Sequence, residues 1–339
     1  MPILKQDYKV LVRCFTFNQS KYIKDALNGF VMQETDFPFV CAIVDDCSTD
    51  GEQDVIKSYL DTEFNMESAE LYETDYANII VAVHKTNINC SFAVFLLKYN
   101  HYSLRKPKGP YLKSLRDVCP YEALCEGDDY WIDKRKLQRQ FDLINENSNC
   151  TLCYHACENL FEEGYEGWKN ASGAEVAETY TFDDLLKRYN FQYGTVLYRA
   201  SVLNSSLYKD LHSCGFVVGD LPVYLAAAHL GKLCGIPEIM SVYRRQNNGI
   251  SLKIYKGEQT YPMLKAYLKS LPLFSREEQN SIIRRRLKNM KFWRQMSFSE
   301  SISLYSCILL QKPIIAIELV FCFAKYIIGS ILKISKRAD

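Results

Sequence analysis

Short apolar runs alternate with helix-forming stretches from Val10 to about Ala156, and this alternation constrains the fold more than any other feature of the sequence. It is typical of a mostly parallel β-sheet flanked by helices, because each strand-like run is followed by a stretch that can form a crossover helix. We therefore expect an α/β fold with one open central sheet. The predicted strands are Val10–Phe15, Phe39–Val44, Ile79–Val83 and Glu122–Cys125, and the predicted helices are Lys21–Gln33, Glu52–Leu60 and Lys134–Asn145.

The pattern changes after this region. A second α/β portion runs from Cys150 to about Tyr243, and after Gln259 the sequence is almost wholly helical. A chain of 339 residues is long enough for one large domain with an appendage, so we expect an α/β domain at 1–255 and a helical extension at 256–339. Further predictions are a strand at Tyr193–Tyr198, a helix from Asp220 to Leu230, and a partly looped, tyrosine-rich and basic stretch between Asn87 and Asp117.

Charge and cysteine content narrow the class of protein. The 41 basic and 40 acidic residues nearly cancel, so nothing in the overall charge indicates a nucleic-acid partner. The 13 cysteines are an odd number, which argues against a complete disulfide framework. Five of them lie in apolar runs, where a reduced cysteine behaves as a small hydrophobic residue: Cys14, Cys41, Cys125, Cys153 and Cys234. The beginning of the sequence lacks a secretory signal pattern, so a cytoplasmic location is expected.

An acidic run, Glu126-Gly127-Asp128-Asp129, follows the predicted strand Glu122–Cys125. Like charges this close repel one another unless a cation lies between them. Mg²⁺ and Mn²⁺ prefer oxygen ligands and are commonly completed by substrate phosphates, which suits a nucleotide diphosphate leaving group. An exposed acidic turn that caps the helix after Asp133 is the alternative interpretation.

Polar residues also follow the first two predicted strands. Asp45 and Asp46 end the second strand and precede a helix, and ligands of open α/β sheets gather at such strand ends. Thr16, Phe17 and Asn18 end the first strand, where backbone groups and the Asn18 side chain can meet a base. The three polar strand ends are therefore expected to lie together.

These segments resemble those of glycosyltransferase family 2, inverting enzymes of the GT-A fold. The family motifs PTYN, VDDGSTD and DxDD occur in this order, and here they read FTFN, VDDCSTD and EGDD. The resemblance covers residues 8–255. It implies that Thr16 and Asp46 contact uracil, that Asp128 contacts ribose, and that Asp129, with Asp128, holds Mn²⁺ or Mg²⁺. Glu126 stands where the family often has Asp.

The resemblance extends to later residues. An acid at the start of a later helix acts as general base in the family, and Asp220 occupies that place here, with helix capping as the alternative role. The segment MSVYRRQNNGIS resembles the family form VYRxHxGGIW, with Gln246 in place of histidine. Arg244 and Arg245 are therefore candidates for the diphosphate, or else a surface pair. Looser matches are His84 and Asn87, as nucleotide contacts, and Trp131, as a core residue or a wall of the sugar site.

The resemblance implies transfer of a sugar from a UDP-sugar to a hydroxyl of a glycan or lipid-linked acceptor, in cell-surface polysaccharide synthesis. The alternatives are a sugar-phosphate nucleotidyltransferase, which would be expected to carry a Gly-rich, basic loop after the first strand, and a non-catalytic carbohydrate-binding or scaffold protein. Residues 308–337 are expected to form an interfacial helix that contacts the membrane, or else to pack on the catalytic domain or a second subunit. The oligomeric state is left open.

Overall fold

The computed structural model describes residues 7–167, 173–187, 190–247 and 259–321. Within these ranges eleven strands form one sheet, in the spatial order β3-β4-β5-β2-β1-β6-β10-β8-β11-β7, with β9 paired to β11. The strands are β1 Val10–Thr16, β2 Phe39–Asp45, β3 Glu70–Glu73, β4 Ala77–Val83, β5 Cys90–Leu97, β6 Tyr121–Leu124, β7 Tyr130–Trp131, β8 Cys150–Phe161, β9 Thr179–Tyr180, β10 Leu197–Arg199 and β11 Lys232–Arg245.

Helices cover the sheet and continue beyond it. The α-helices are α1 Ile23–Val31, α2 Glu52–Glu63, α3 Lys113–Val118, α4 Lys136–Glu146, α5 Phe182–Lys187, α6 Ala200–Asn204, α7 Ser206–Ser213, α8 Leu221–Leu230, α9 Thr260–Ser270, α10 Arg276–Ile282, α11 Met290–Trp293 and α12 Phe298–Gln311. A π-helical turn, Ile283–Leu287, continues α10, and residues 313–321 are also helical.

Four neighbouring strands, β5, β2, β1 and β6, run parallel to one another. Thr16 pairs with Asp45, and Asp45 pairs with Leu96, so these strands end at the same edge of the sheet. Every residue of β2 and β5 is buried, as expected for parallel strands whose two faces are both covered. The predicted α/β architecture with a central, largely parallel sheet is confirmed.

The predicted third strand was assigned to the wrong segment. Ile79–Val83 does form a strand, β4, but it runs antiparallel to β5. The third parallel strand is β5, Cys90–Leu97, which lies inside the stretch predicted to be partly loop. Its uninterrupted apolar run is the pattern of a strand buried on both faces. Similarly, the predicted strand at Tyr193–Tyr198 is a 3₁₀ turn followed by the short β10.

The C-terminal helices pack on the α/β part through a shared apolar core. Tyr267 of α9 and Leu304 of α12 belong to the same buried cluster as Phe182 of α5 and Tyr224 of α8. Of the predicted interfacial helix, residues 308–321 are described, and Ile308, Ile315 and Leu319 belong to this same core. The predicted boundary at 255 and the part of the predicted interfacial helix after 321 lie outside the described residues. No helix within the described ranges is long and apolar enough to cross a membrane.

Candidate active site

The three polar strand ends lie side by side, as predicted. The backbone N–H of Asp46 donates a hydrogen bond of 3.0 Å to the carbonyl oxygen of Thr16. On the other side of β1, the N–H of Gly127 donates one of 3.2 Å to the carbonyl oxygen of Phe15. The FTFN, VDDCSTD and EGDD segments therefore form one continuous rim at the carboxyl edge of the parallel strands.

A buried glutamate of α2 organises this rim. Glu52 accepts hydrogen bonds from the Thr16 hydroxyl, from the Gln19 backbone N–H at 2.9 Å, and from the Ser48 hydroxyl at 2.8 Å. Burial raises the pKa of Glu52, and these donors partly offset that rise. Thr16 is itself buried, so its side chain faces Glu52 rather than the open site. Sequence reasoning missed Glu52, because a single acid early in a helix carries no distinctive signal.

Gly127 lets the acidic run pack directly on Thr16. A Cβ atom at this position would lie 2.3 Å from Thr16 Oγ1 and 2.6 Å from Gln19 Oε1. Real Cβ atoms do not approach heavy atoms this closely, so any other residue would displace the run. The glycine between Glu126 and Asp128 therefore fixes the position of both acids against β1.

Asn18 connects the loops that follow β1 and β2. Its backbone adopts a left-handed conformation (φ 53°), which asparagine tolerates better than most residues. Its N–H donates to Ser48 Oγ at 2.9 Å, and its Oδ1 accepts the Thr49 N–H at 2.8 Å. The neighbouring Phe17 is exposed. In this arrangement Asn18 holds the two loops together, and Phe17 is accessible at the rim.

Asp46 anchors the segment that follows β5. Its carboxylate accepts hydrogen bonds from the His101 N–H at 2.7 Å, the Tyr102 N–H at 3.1 Å and Lys108 Nζ at 2.8 Å. Asp45 faces a different environment: Oδ1 accepts the Ser48 N–H at 3.1 Å, whereas Oδ2 is buried without a hydrogen-bond partner. Lys108 and this segment were not predicted, because the strand that carries them was taken for loop.

The two aspartates of the acidic run differ in their surroundings. Asp128 is half-buried and its Oδ2 accepts a hydrogen bond from Gln246 Nε2. Asp129 is 2% exposed; its Oδ1 accepts the Arg244 N–H at 2.8 Å, and its Oδ2 is buried without a partner. Asp129 therefore lies inside the protein, which argues against its predicted role as a direct metal ligand. Gln246 does reach the acidic run from the position of the family histidine.

Burial and mutual repulsion raise the pKa values of these carboxyl groups. Burial is the largest cause for Asp128, and for Asp129 the charge of Asp128 adds to it. The Glu126 side chain is exposed to solvent, yet desolvation inside the cleft and the charges of Asp128 and Asp220 raise its pKa to about 8. A cation placed among these groups would relieve that repulsion.

The acidic run fits a metal site whose ligands come partly from the protein and partly from the substrate. Within the described residues, no group of three or more His, Cys, Asp or Glu side chains is arranged to hold an ion. Mg²⁺ usually binds one or two carboxylates and is completed by substrate phosphates and water. Asp128 and Glu126 meet that requirement, and the buried Asp129 does not.

Arg244, a predicted diphosphate contact, stabilises the acidic run. Its Nε donates to the Asp128 carbonyl oxygen at 2.9 Å, and its terminal nitrogens contact Asp25 at 3.0 Å and Glu162 at 3.3 Å. The guanidinium also lies over the Tyr22 ring, 4.4 Å from its centroid. These contacts use three of its five N–H groups and hold a side chain that is 8% exposed, so they support a structural role for Arg244.

Arg245 and Trp131 also have structural roles. Arg245 is buried, and its Nε donates to Asn159 Oδ1 at 3.1 Å. Trp131 is 1% exposed, and its Nε1 donates to the Gly194 carbonyl oxygen at 2.9 Å. Trp131 is therefore a core residue, which was one of its two predicted roles, and it cannot form a wall of a sugar site.

His84 and Asn87 lie at the opposite edge of the sheet. They precede β5, whose first residue Cys90 pairs with Phe39 at the start of β2. His84 Nδ1 accepts the Asn87 N–H at 2.9 Å, and Asn87 Nδ2 donates to the Val31 carbonyl oxygen at 2.9 Å. The prediction that they contact the nucleotide is wrong, because the assumed third strand runs in the other direction.

Asp220 lies at the N-terminus of α8 but makes no capping hydrogen bond with its side chain. Burial raises its pKa, and a contact with Tyr224 and the positive charge of Arg13 partly oppose this rise. The charge of Asp220 also raises the pKa of Glu126, so the two carboxyl groups share one electrostatic environment. The capping alternative thus has no side-chain hydrogen bond to support it, and the role of Asp220 as general base stays a prediction.

A buried ion cluster supports this part of the cleft. Glu122 accepts hydrogen bonds from Arg13 Nε at 2.6 Å and from Arg116 Nε at 2.8 Å. Arg13 also lies over the rings of Phe15 and Tyr193. Charged residues inside two adjacent apolar strands were a usable sequence signal, because a buried arginine and glutamate are normally paired.

Comparison with known proteins adds independent information. No family model matches the chain. Rv1520 of Mycobacterium tuberculosis, described as an uncharacterized protein, is 30% identical over 250 residues, which are 73% of this chain and 61% of that protein. TuaG of Bacillus subtilis, provisionally described as a teichuronic acid biosynthesis glycosyltransferase, is 25% identical over 254 residues, 74% of this chain and 85% of TuaG. The chain thus spans 61% of the length of the mycobacterial relative.

The structure is similar to that of Staphylococcus aureus TarS. Residues 1–349 of TarS in complex with UDP-GlcNAc superpose with a TM-score of 0.60 at 16% identity, covering 94% of this chain and 88% of that chain. The complex of the same TarS residues with UDP gives a TM-score of 0.54, covering 88% and 78%. These similarities and the sheet described above confirm the predicted architecture: the chain has the fold of the GT-A glycosyltransferases.

Proposed function

We propose that the chain is an inverting glycosyltransferase that moves a sugar from a UDP-sugar to a hydroxyl of a glycan or lipid-linked acceptor in cell-surface polysaccharide synthesis. The fold is that of TarS, which was crystallised with UDP-GlcNAc, and the relative TuaG carries a glycosyltransferase description. A cytoplasmic reaction is part of the proposal. The membrane contact expected from the sequence is also a proposal, and it rests on residues outside the cleft.

The observation that supports the proposal is that Glu126, at the carboxyl edge of the parallel strands, lies close enough to Asp128 and Asp220 for both charges to raise its pKa. All three carboxyl groups have a raised pKa, caused first by desolvation. Perturbed carboxyl groups gathered at such an edge are typical of catalytic and ligand-binding sites. A nucleotidyltransferase is less well supported, because the residues after β1 form no Gly-rich phosphate loop.

In this proposal Asp128 and Glu126 hold the divalent cation, Mn²⁺ or Mg²⁺, together with the donor diphosphate. When bound, the ion neutralises the charge that develops on the departing UDP. Asp129 holds the acidic run in place, because its carboxylate accepts a hydrogen bond from the Arg244 backbone N–H. Gln246 contacts Asp128 and orients its carboxylate. The uridine is proposed to lie on the rim formed by Phe17, Asn18, Asp45 and Asp46. Thr16 supports this rim, because its buried side chain faces Glu52 rather than the open site.

Asp220 is the proposed general base. A sugar hydroxyl becomes an effective nucleophile when its proton is accepted as it attacks the anomeric carbon. The hydroxyl oxygen forms a bond to that carbon, Asp220 takes the proton, and UDP departs from the opposite face with the bonding electron pair. A carboxylate whose pKa is raised by burial has a higher affinity for that proton than an ordinary aspartate.

The proposal is tested by UDP release and donor binding. We expect slow UDP release from at least one UDP-sugar in the presence of Mn²⁺, and a rise in melting temperature with donor concentration, because a ligand that binds only the native state stabilises it. GDP-sugars serve as the matched control, because they test whether the protein distinguishes uracil from guanine. Absence of both UDP release and stabilisation across the common UDP-sugars would contradict the proposal and favour a non-catalytic scaffold.

A further inference from the structure

Exposed apolar side chains gather at the C-terminal end of the described chain. Leu310, Ile314, Ile317 and Phe321 are 85%, 73%, 57% and 65% exposed, and we call these four residues the C-terminal apolar face. Ile314, Ile317 and Phe321 are spaced by three and four residues, so they lie on one side of the helical segment 313–321. The opposite side of this segment, including Leu319, is buried in the shared core.

The segment 313–321 therefore carries apolar side chains on both sides, although only one side packs on the protein and the exposed side also holds Glu318. Neighbouring apolar side chains on a helix are normally covered, by protein or by a membrane. Clustered exposed apolar side chains mark a surface that meets another molecule or a bilayer. Among the described residues, nothing covers the exposed side of this segment, so it has the character of a contact surface.

A basic groove borders the apolar face. This cavity of about 840 Å³ lies between α10 with its π-helical turn and the helical segment 313–321, and Ile314 is part of its wall. Its lining includes four basic residues and two acidic ones: Arg276, Arg284, Lys288, Lys312, Glu277 and Glu318. Glu318 lies on the same side of the helix as Ile314 and forms an ion pair with Lys288, and Arg284 forms one with Asp183. The positive excess of the groove therefore rests on Arg276 and Lys312 against Glu277.

We propose that this surface docks the protein on an anionic lipid bilayer. The C-terminal apolar face would insert at the boundary between headgroups and acyl chains, and Arg276 and Lys312 would contact lipid phosphates. This combination of an apolar helix face and basic neighbours is what interfacial helices use to bind anionic membranes. The inference deepens the membrane contact of the proposed function, and because the surface shares no residue with the cleft it does not depend on the proposed sugar transfer.

Charge favours a bilayer over a second copy of the chain. A symmetric dimer through this surface would bring two grooves of the same positive excess together, and like charges at an interface oppose association. Anionic headgroups are complementary to the same groove. The sequence after residue 321 adds four basic residues and one acidic residue: Lys325, Lys333, Lys336, Arg337 and Asp339. The sequence after residue 321 is therefore positively charged, like the groove.

Vesicle flotation of the full chain tests this proposal. We expect binding to vesicles of phosphatidylcholine mixed with phosphatidylglycerol, and much weaker binding to phosphatidylcholine alone. The triple variant Ile314→Ser/Ile317→Ser/Phe321→Ser should reduce the partition coefficient at least roughly tenfold, because each substitution removes a buried apolar side chain from the bound state. The double variant Leu71→Ser/Ile88→Ser, which changes similarly exposed residues elsewhere, should bind like the wild type.

A charge variant separates the two contributions. Arg276→Gln/Lys312→Gln should weaken binding to the anionic vesicles by roughly fivefold for each residue, and high salt should have the same effect. The melting temperature of each variant, with and without UDP, shows whether it is folded. Flotation that the triple variant leaves unchanged would overturn the proposal, because another segment would then make the contact. Self-association that the triple variant abolishes, without vesicle binding by the wild type, would also overturn it.

Discussion

Lys108 Nζ donates a hydrogen bond of 2.8 Å to Asp46 Oδ2 and so joins the segment after β5 to the end of β2. The ammonium group also lies over the Phe15 ring, 5.2 Å from its centroid. Asp46 is the residue that the family resemblance assigns to uracil. If the base binds there, its binding and the position of the segment that carries Lys108 are coupled, because both use the same carboxylate.

Asp46→Ala is expected to weaken uridine binding roughly 10- to 150-fold, with or without Mn²⁺, because a hydrogen bond to a charged group is worth about 1.5–3 kcal/mol. The variant should also increase hydrogen exchange at His101 and Tyr102, whose N–H groups lose their acceptor. Calorimetric titration with uridine, UDP and GDP measures the first effect. Equal losses for UDP and GDP would contradict a contact between Asp46 and the base.

Lys108→Met should have the opposite effect on uridine. The substitution keeps the bonds from His101 and Tyr102 to Asp46 but removes the ammonium group that occupies Oδ2. If the base competes for that oxygen, uridine should bind severalfold more tightly, in line with a hydrogen-bond change of about 1 kcal/mol. Uridine is the appropriate ligand, because it has no phosphates that Lys108 itself can contact. Weaker uridine binding would show that Lys108 supports the base site instead.

Gly127→Ala should destabilise the protein by about 1–3 kcal/mol, the usual cost of forcing extra atoms into a packed site. The added Cβ would meet Thr16 Oγ1 at 2.3 Å, so the acidic run must move away from β1. UDP affinity should fall with it. Gly219→Ala is the matched control, since a Cβ there meets no atom within 4 Å. Urea denaturation and UDP titration of both variants provide the measurement, and equal behaviour of the two would contradict the proposed packing.

Asp128→Ala and Asp129→Ala should separate ion binding from support of the site. Asp128→Ala is expected to remove the Mn²⁺-dependent part of UDP affinity with little change in melting temperature, because this side chain faces the cleft. Asp129→Ala should lower the melting temperature, because it leaves the buried Arg244 N–H without an acceptor, at a cost of about 1–3 kcal/mol. If Asp129→Ala instead removed the Mn²⁺-dependent UDP affinity and Asp128→Ala lowered the melting temperature, Asp129 would be the direct ligand implied by the family resemblance.

The order of the polar motifs was predictable because each lies next to the strand that positions it. Strand direction was not, since apolar periodicity is the same for parallel and antiparallel strands. For this reason His84 and Asn87 were predicted at the wrong edge of the sheet, and the strand before Lys108 was not predicted. Asp128 and Asp129 are chemically identical in sequence, and only the passage of β11 beside them decides which one is buried. Similarly, the partners of Arg244 are up to 219 residues away in the chain.

Asp220→Asn distinguishes a general base from a structural residue. The substitution keeps the size of the side chain, and no capping hydrogen bond is lost, so melting temperature and UDP affinity should stay near those of the wild type. Turnover should fall roughly 10²–10⁴-fold, the usual contribution of a general base. Because Asp220 must be deprotonated to accept a proton, the wild-type rate should rise with pH through its folded-state pKa, which burial places above the ordinary value of about 4. That rise should be absent in the variant.

Turnover of Asp220→Asn within a factor of about two of wild type would exclude Asp220 as the general base. The search would then move to Glu126 rather than Glu238, because Arg139 pairs with Glu238 and lowers its pKa.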